Sequence, residues 1–435
     1  MSLLFYAFGE PVYLFLMLLS LTLAYLFGLR IAKYRLTDPK KAKRTLVCSI
    51  LVTLSFLFFF KYFNFFAETL SFLPGVTVSR IVGLTLPIGI SFYTFQILSY
   101  SIDLYRGDCA VQKNYIAFGT YVTLFPQLIA GPIVRYREID LQLTDRREGI
   151  ENFAKGALRF SIGLAKKLLL GDLLAANYEY YKTLLTLQPT VDAAWLAAIL
   201  YMLHLYFDFS GYTDMALGLG KLFGFEFPEN FRYPYAATSV TDFWRRWHIS
   251  LSSWFREYVY IPLGGNRSGK LLTCRNLLLV WLLTGFWHGA GWNFILWGLY
   301  YGVLLILEKL FLHKALERAP RILCRLYTLL AALFGFLLFS QSDLALVYGH
   351  FGALFGRGTL GFSSAISSYQ FLHLLPLLAI SCLGATPLPK RAAERLLQKD
   401  SRLAFLKPVF CLILLGLSTA YLVDSTYSPF AYFNF

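Results

Sequence analysis

Residues 271–312 read LLTCRNLLLVWLLTGFWHGAGWNFILWGLYYGVLLILEKLFL. On either side of Gly289-Ala290-Gly291 the run stays apolar for roughly the 20 residues that a bilayer-spanning helix needs. Similar runs occur at 11–29, 46–66, 81–102, 157–176, 192–220, 326–341, 368–388 and 408–424, which makes ten candidate spans. An eleventh apolar stretch, 117–134, contains FPQLIAGPI. Pro126, Gly131 and Pro132 would break a helix there, so a re-entrant or broken segment is expected, and such backbone is tolerated at membrane depth only inside protein or along a cavity. The alternating segments of about ten residues that mark a transmembrane barrel are absent.

Composition agrees. Hydrophobic residues make up 57% of the 435 and charged residues 15%, with a mean hydropathy of +0.55. A soluble domain carries about 25% charged residues. The expectation is an all-α polytopic membrane protein, one membrane-embedded domain over 1–435. The N-terminus lacks a basic n-region and a small-residue cleavage site, and reads as a retained anchor.

The formal charge of +15 would point to nucleic acid in a soluble protein. Here, 31 of the 40 Lys and Arg fall in the loops 30–45, 103–116, 135–156, 221–270, 313–325 and 389–407. With ten crossings these loops share one side, and the positive-inside rule makes that side cytoplasmic. Both termini are then extracytoplasmic, and the partner implied by the charge is the bilayer, not nucleic acid. Six scattered cysteines, with no CxxC pair and no His–Cys cluster, give neither a disulfide frame nor a metal site.

Three stretches carry polar groups suited to chemistry. Between Arg275 and Glu308, His288 is the one side chain that titrates near neutral pH. A polar group in the hydrocarbon layer is costly and marks a functional candidate, against the plainer reading of one interhelical hydrogen bond. Trp287 and Asn293 flank it as tunnel or structural candidates. The second stretch, 234–267, opens a helix with a Ser239–Asp242 capping box, which would place Trp244 and His248 on one face. Trp244, Trp247, Trp254 and Phe255 suit a helix lying in the cytoplasmic interface. Arg245, Arg246, Arg256, Arg267 and Lys270 could also hold phosphates. In the third, HLYFDFSGYTDMALGLG (204–220), His204 could pair with Asp208 four residues on, with Ser210, Tyr212 and Asp214 following. Polar glue between helices is the plainer reading for each.

Taken together, YFDFSGYTDMALGLGKLFGFEFPENFRYPY (206–235), FWRRWHISLSSWFREYVYIPLGGNR (243–267) and LLTGFWHGAGWNFILWGLYYG (282–302) resemble the membrane-bound O-acyltransferase superfamily. LPIGISFYTFQ (86–96) and FPQLIAGPIVRY (125–136) match earlier family patterns. The likeness is greatest to the bacterial branch with the alginate O-acetyltransferase membrane subunit. It implies about ten spans, a re-entrant segment, cytoplasmic interfacial helices and an internal funnel. His288 then matches the family's catalytic histidine, and His248 its second signature position. An imidazole can take the proton of an attacking hydroxyl near neutral pH.

The resemblance further implies acetyl-CoA as cytoplasmic donor substrate, with no permanently bound cofactor. The acceptor would be an extracytoplasmic hydroxyl, ultimately of a cell-surface or secreted polysaccharide, in a bacterial plasma membrane. A separate extracytoplasmic partner of the SGNH-hydrolase type would complete delivery. In the tail TYSPFAYFNF, Tyr432 is a possible acyl relay, although interfacial anchoring by the rings is the plainer reading. The alternatives are D-alanyl transfer from a carrier-protein thioester to a teichoic-acid pathway, and a transporter or flippase. The latter predicts inverted repeats, of which none is found.

Overall fold

The computed structural model describes Met1–Asp424 apart from Thr77, Ala130, Arg147 and Ser268. The described residues are helical, without strands. Seven helices are long and apolar enough to cross a membrane: Tyr13–Thr37, Pro39–Ser71, Val191–Leu222, Trp292–Arg318, Arg321–Phe339, Ala365–Gly384 and Leu406–Asp424. The protein is a multi-pass membrane protein. The runs at 81–102, 157–176 and 271–288 also lie on helices but not among these seven. The first is a helix of only 17 residues, Ile90–Arg106, because Pro87 and Gly89 (φ 76°) precede it. The other two carry Arg159, Lys166, Lys167 and Asp172, and Lys270 and Arg275, respectively.

The chain divides into two compact units. Met1–Gly156 with Ala216–Pro228 forms one. In it α1 (Tyr13–Thr37) and α2 (Pro39–Ser71) meet at Asp38, whose side chain accepts from the Lys41 N–H while Pro39 fills the first helical position. This is a cap of the expected chemistry. Both pack on α3 (Ile90–Arg106), which is buried along almost its whole length. The 117–134 stretch is broken as its prolines and glycine foretold. Tyr115–Thr123 stops at Leu124, and a single turn, Phe125–Leu128, follows.

The second unit, Ala157–Met215 with Glu229–Phe435, holds the large aromatic core. Its centre is α4 (Val191–Leu222), of which residues up to Met215 belong to this unit and are mostly buried. A continuous helix over residues 150–187 lies against α4 at very short range. A Cβ on Gly163 would stand 2.6 Å from the Gly211 carbonyl oxygen, and one on Gly211 2.8 Å from the Gly163 carbonyl oxygen. Only glycines permit such backbone contact. Then come α5 (Lys270–His288) and α6 (Trp292–Arg318), an antiparallel hairpin, followed by α7 (Arg321–Phe339), which packs on α6.

Candidate active site

The hairpin sets the position of His288. It is the last residue of α5, and α6 folds back tightly because a Cβ on Gly285 would meet the Phe294 carbonyl oxygen at 2.2 Å. The imidazole is buried, with ring centroids of Trp287, Trp297 and Phe339 at 4.9, 5.0 and 5.3 Å. It lines a cavity of about 30 Å³. Asp208 of α4 lines the same cavity, and the remaining wall is Leu205, Phe209, Trp247, Trp297, Phe336 and Phe339. A water needs roughly 10–15 Å³ on this measure, so the space suits a group of about three heavy atoms. A titratable ring and a carboxylate converging on a small apolar hollow form the arrangement that general acid–base chemistry uses.

His248 differs from the sequence expectation. The helix that begins at Val240 ends at Trp244, and a second runs Ile249–Phe255. His248 sits between them in the left-handed region, at φ 44° and ψ 55°, so it shares no helix face with Trp244. Such a conformation is costly for a non-glycine residue and persists only when its surroundings enforce it. Asn230 is the enforcing group. Its Oδ1 accepts from the Ser250 N–H at 3.1 Å and lies 3.2 Å from His248 Nδ1. An amide N–H can only donate, so Nδ1 carries the ring proton and Nε2 the lone pair. Nε2 has no hydrogen-bond partner among the described residues. Burial pushes this imidazole down to about 3 from 6.5, which keeps it neutral.

Only half of the expected capping box forms. Ser239 Oγ accepts from the Asp242 N–H at 2.9 Å, but the Asp242 carboxylate turns to Arg246 at 2.8 Å. Trp244, Trp247, Trp254 and Phe255 are buried within the protein at 4–6% exposure, so they do not stand at the headgroup boundary as interfacial anchors. Their ring area stabilises the loop that carries His248. Trp247, for example, packs on Phe231 and Phe336 at 5.1 and 4.9 Å.

His204 and Asp208 do not pair. His204 Nδ1 meets the Gly171 carbonyl at 2.9 Å, while Asp208 Oδ1 forms an ion pair with Lys167 Nζ at 3.1 Å. The other carboxylate on Lys167 is Asp172. Lys167, Asp172 and Asp208 are all deeply buried. Asp214 joins a separate set, with Arg159 at 2.9 Å and Lys166 at 2.6 Å, and Arg159 continues to Glu229 at 2.6 Å. Arg159, Lys166 and Lys167 are not among the site residues expected from the sequence. Their signal is present: lysines amid an apolar run demand carboxylate partners, and Asp208 and Asp214 lie deep in the next span.

Of the five cations expected to hold phosphates, Arg246 is engaged by Asp242, while Arg245, Arg256, Arg267 and Lys270 are exposed. Lys270 lines a second cavity of about 200 Å³ with Lys309 and Thr273. Ser210 is buried and Tyr212 half-buried. Asn293 is 1% exposed, and its amide atoms have no hydrogen-bond partner among the described residues. Tyr432 lies outside the described residues. No group of three metal-ligating side chains occurs among those described.

Known proteins resemble this chain along most of its length. The probable alginate O-acetylase of Azotobacter vinelandii is 40% identical over 86% of this chain and 76% of its own. A peptidoglycan O-acetyltransferase of Helicobacter pylori is 38% identical over 75% of this chain and 67% of its own. A teichoic acid D-alanyltransferase of Bacillus subtilis is more remote, at 30% over 52% of this chain and 59% of its own. The sequence model of the membrane-bound O-acyltransferase family matches residues 110–349, which include His248, His288 and the Asp208 cavity. With that match and these relatives, the chain belongs to the membrane-bound O-acyltransferase family and is an O-acyltransferase.

Proposed function

We propose that the protein takes an acetyl group from cytoplasmic acetyl-CoA and passes it to a hydroxyl acceptor on the outer side, for O-acetylation of a cell-surface or secreted polysaccharide. The observation that carries this reading is the small apolar cavity shared by His288 and Asp208. Its small volume suits a short acyl group such as acetyl. The two more similar relatives, named for acetylation of alginate and of peptidoglycan, support the same acyl group.

In the reaction, His288 accepts the hydroxyl proton as the hydroxyl oxygen forms its bond to the acetyl carbon. The carbon–sulfur bond breaks, and the imidazolium returns the proton to the CoA thiolate. Trp297 lines the cavity and is buried, and its indole N–H has no partner among the described residues. It is a donor suited to the carbonyl oxygen as negative charge builds there. The exposed Arg245, Arg256, Arg267 and Lys270 are suited to the phosphates of CoA. The loops rich in Lys and Arg support a cytoplasmic donor side, with an extracytoplasmic partner of the SGNH type completing delivery.

D-alanyl transfer rests on more remote relatives, at 30% and 29% identity. A binding measurement separates the two readings. Purified protein in detergent should bind acetyl-CoA in calorimetry and should not bind a phosphopantetheinyl carrier protein loaded with D-alanine. The reverse pattern would replace acetyl by D-alanyl.

A further inference from the structure

Lys167 lies 4% exposed on the 150–187 helix, in a π-helical turn, Lys166–Asp172. Its ammonium stands between Asp172 and Asp208, with Asp208 Oδ1 at 3.1 Å. Asp208 is also the carboxylate that lines the His288 cavity. Close helix packing makes this possible: a Cβ on Gly171 would lie 3.2 Å from Asp208 N, and one on Gly211 3.0 Å from Lys167 N.

The three groups do more than neutralise a lysine. A buried carboxylate is expensive, and Asp172 already supplies Lys167 with a counter-charge. Bringing Asp208 to the same ammonium fixes a second negative charge at the wall of the reaction cavity. The neighbouring set of Arg159, Lys166, Asp214 and Glu229 shows the contrast. It is less buried, and none of its members lines the cavity.

We infer that Lys167 is a positioning residue for acyl transfer, holding the Asp208 carboxylate charged and fixed in the cavity that His288 shares. The inference rests on reading that cavity as the acyl-transfer site. When His288 takes the hydroxyl proton it becomes a cation in surroundings of low dielectric. There, a fixed anion stabilises it far more than the same charge would in water. Asp208 need not gain or lose a proton. Its negative charge lowers the barrier by being in place before the imidazolium forms.

The test uses inverted membrane vesicles from the producing cell, with parent or variant as the sole copy, and follows release of CoA thiol as acetyl-CoA is varied. Asp208→Asn keeps the shape of the side chain and removes its charge. It is expected to lower kcat roughly tenfold to hundredfold, with KM for acetyl-CoA within about twofold of the parent. Lys167→Met should show the same split. The double variant should be no slower than the slower single one, because both remove one device. Thermal unfolding of the purified variants in detergent identifies those that are folded, and Asp208→Asn, being isosteric, serves if Lys167→Met is not. A folded Asp208→Asn with parental kcat, or a double variant in which the losses multiply, would overturn the role of Lys167. Vesicles of the parent that release no CoA would overturn the reading of the site itself, so the two failures are distinct.

Discussion

His248 illustrates how a single residue can be fixed by its neighbours more firmly than by its sequence context. Asn230 selects its tautomer, the left-handed backbone aims it, and burial holds it neutral with a pKa near 3. The folded state therefore resists a proton that the unfolded chain accepts below about 6.5. Stability lost in this way is absent above pH 6.5 and grows as pH falls toward 3, by up to about 1.4 kcal/mol per pH unit. The thermal unfolding midpoint of the purified protein should drop between pH 7 and pH 5. In His248→Gln, which cannot titrate there, the drop should be shallower; an equal drop in both would remove His248 as its source. Sequence alone singled out His288 because charge is scarce in the hairpin. It could not see that Asp208 would line one cavity with His288 and pair with Lys167 in place of His204, since that depends on which helix lies alongside α4.

At the scale of elements, apolar runs and breakers were legible and crossings were not. Pro126 and the neighbouring glycine and proline announced the break in 117–134, and the Thr37-Asp38-Pro39 turn is a plain capping signal. The 240–255 stretch misled because its helical spacing continues through His248, while the chain breaks there to satisfy Asn230. The contact of α4 with the 150–187 helix depends on Gly163 and Gly211, neither of which belongs to a GxxxG motif. Adding two methyl groups and a Cβ in Gly211→Val forces carbon against the Gly163 carbonyl at 2.8 Å and the Lys167 amide at 3.0 Å. Overpacking of this kind costs about 1–3 kcal/mol, and the backbone has little room to relax. The unfolding midpoint in detergent should fall well below the parent's. Gly416→Ala, on the final helix with nothing within 4 Å of its Cβ, should leave it nearly unchanged. Equal midpoints for both would mean that the crossing is not a close one.

For the whole molecule, hydropathy and charge distribution were enough to read the class, an all-helical multi-pass membrane protein. The sequence has ten apolar runs, and among the described residues seven helices have the length and apolar character to span. The difference comes from α3, shortened by Pro87 and Gly89, from the 150–187 helix, whose Lys166 and Lys167 pair with Asp214 and Asp208, and from α5, which carries Lys270, Arg275 and the buried Asn276 and His288. Of these charged side chains, Lys167 is the one paired to the Asp208 carboxylate that lines the His288 cavity, so a group that weakens the hydropathy signal lies beside the candidate site. The central claim is that this interior exists to let His288 move a proton during acetyl transfer. It is tested by measuring ester-linked acetyl on the surface or secreted polymer of cells whose sole copy is His288→Ala, with membrane insertion and acetyl-CoA binding verified. Acetylation should fall to the level of cells lacking the protein, while undiminished acetylation would contradict the role assigned to His288.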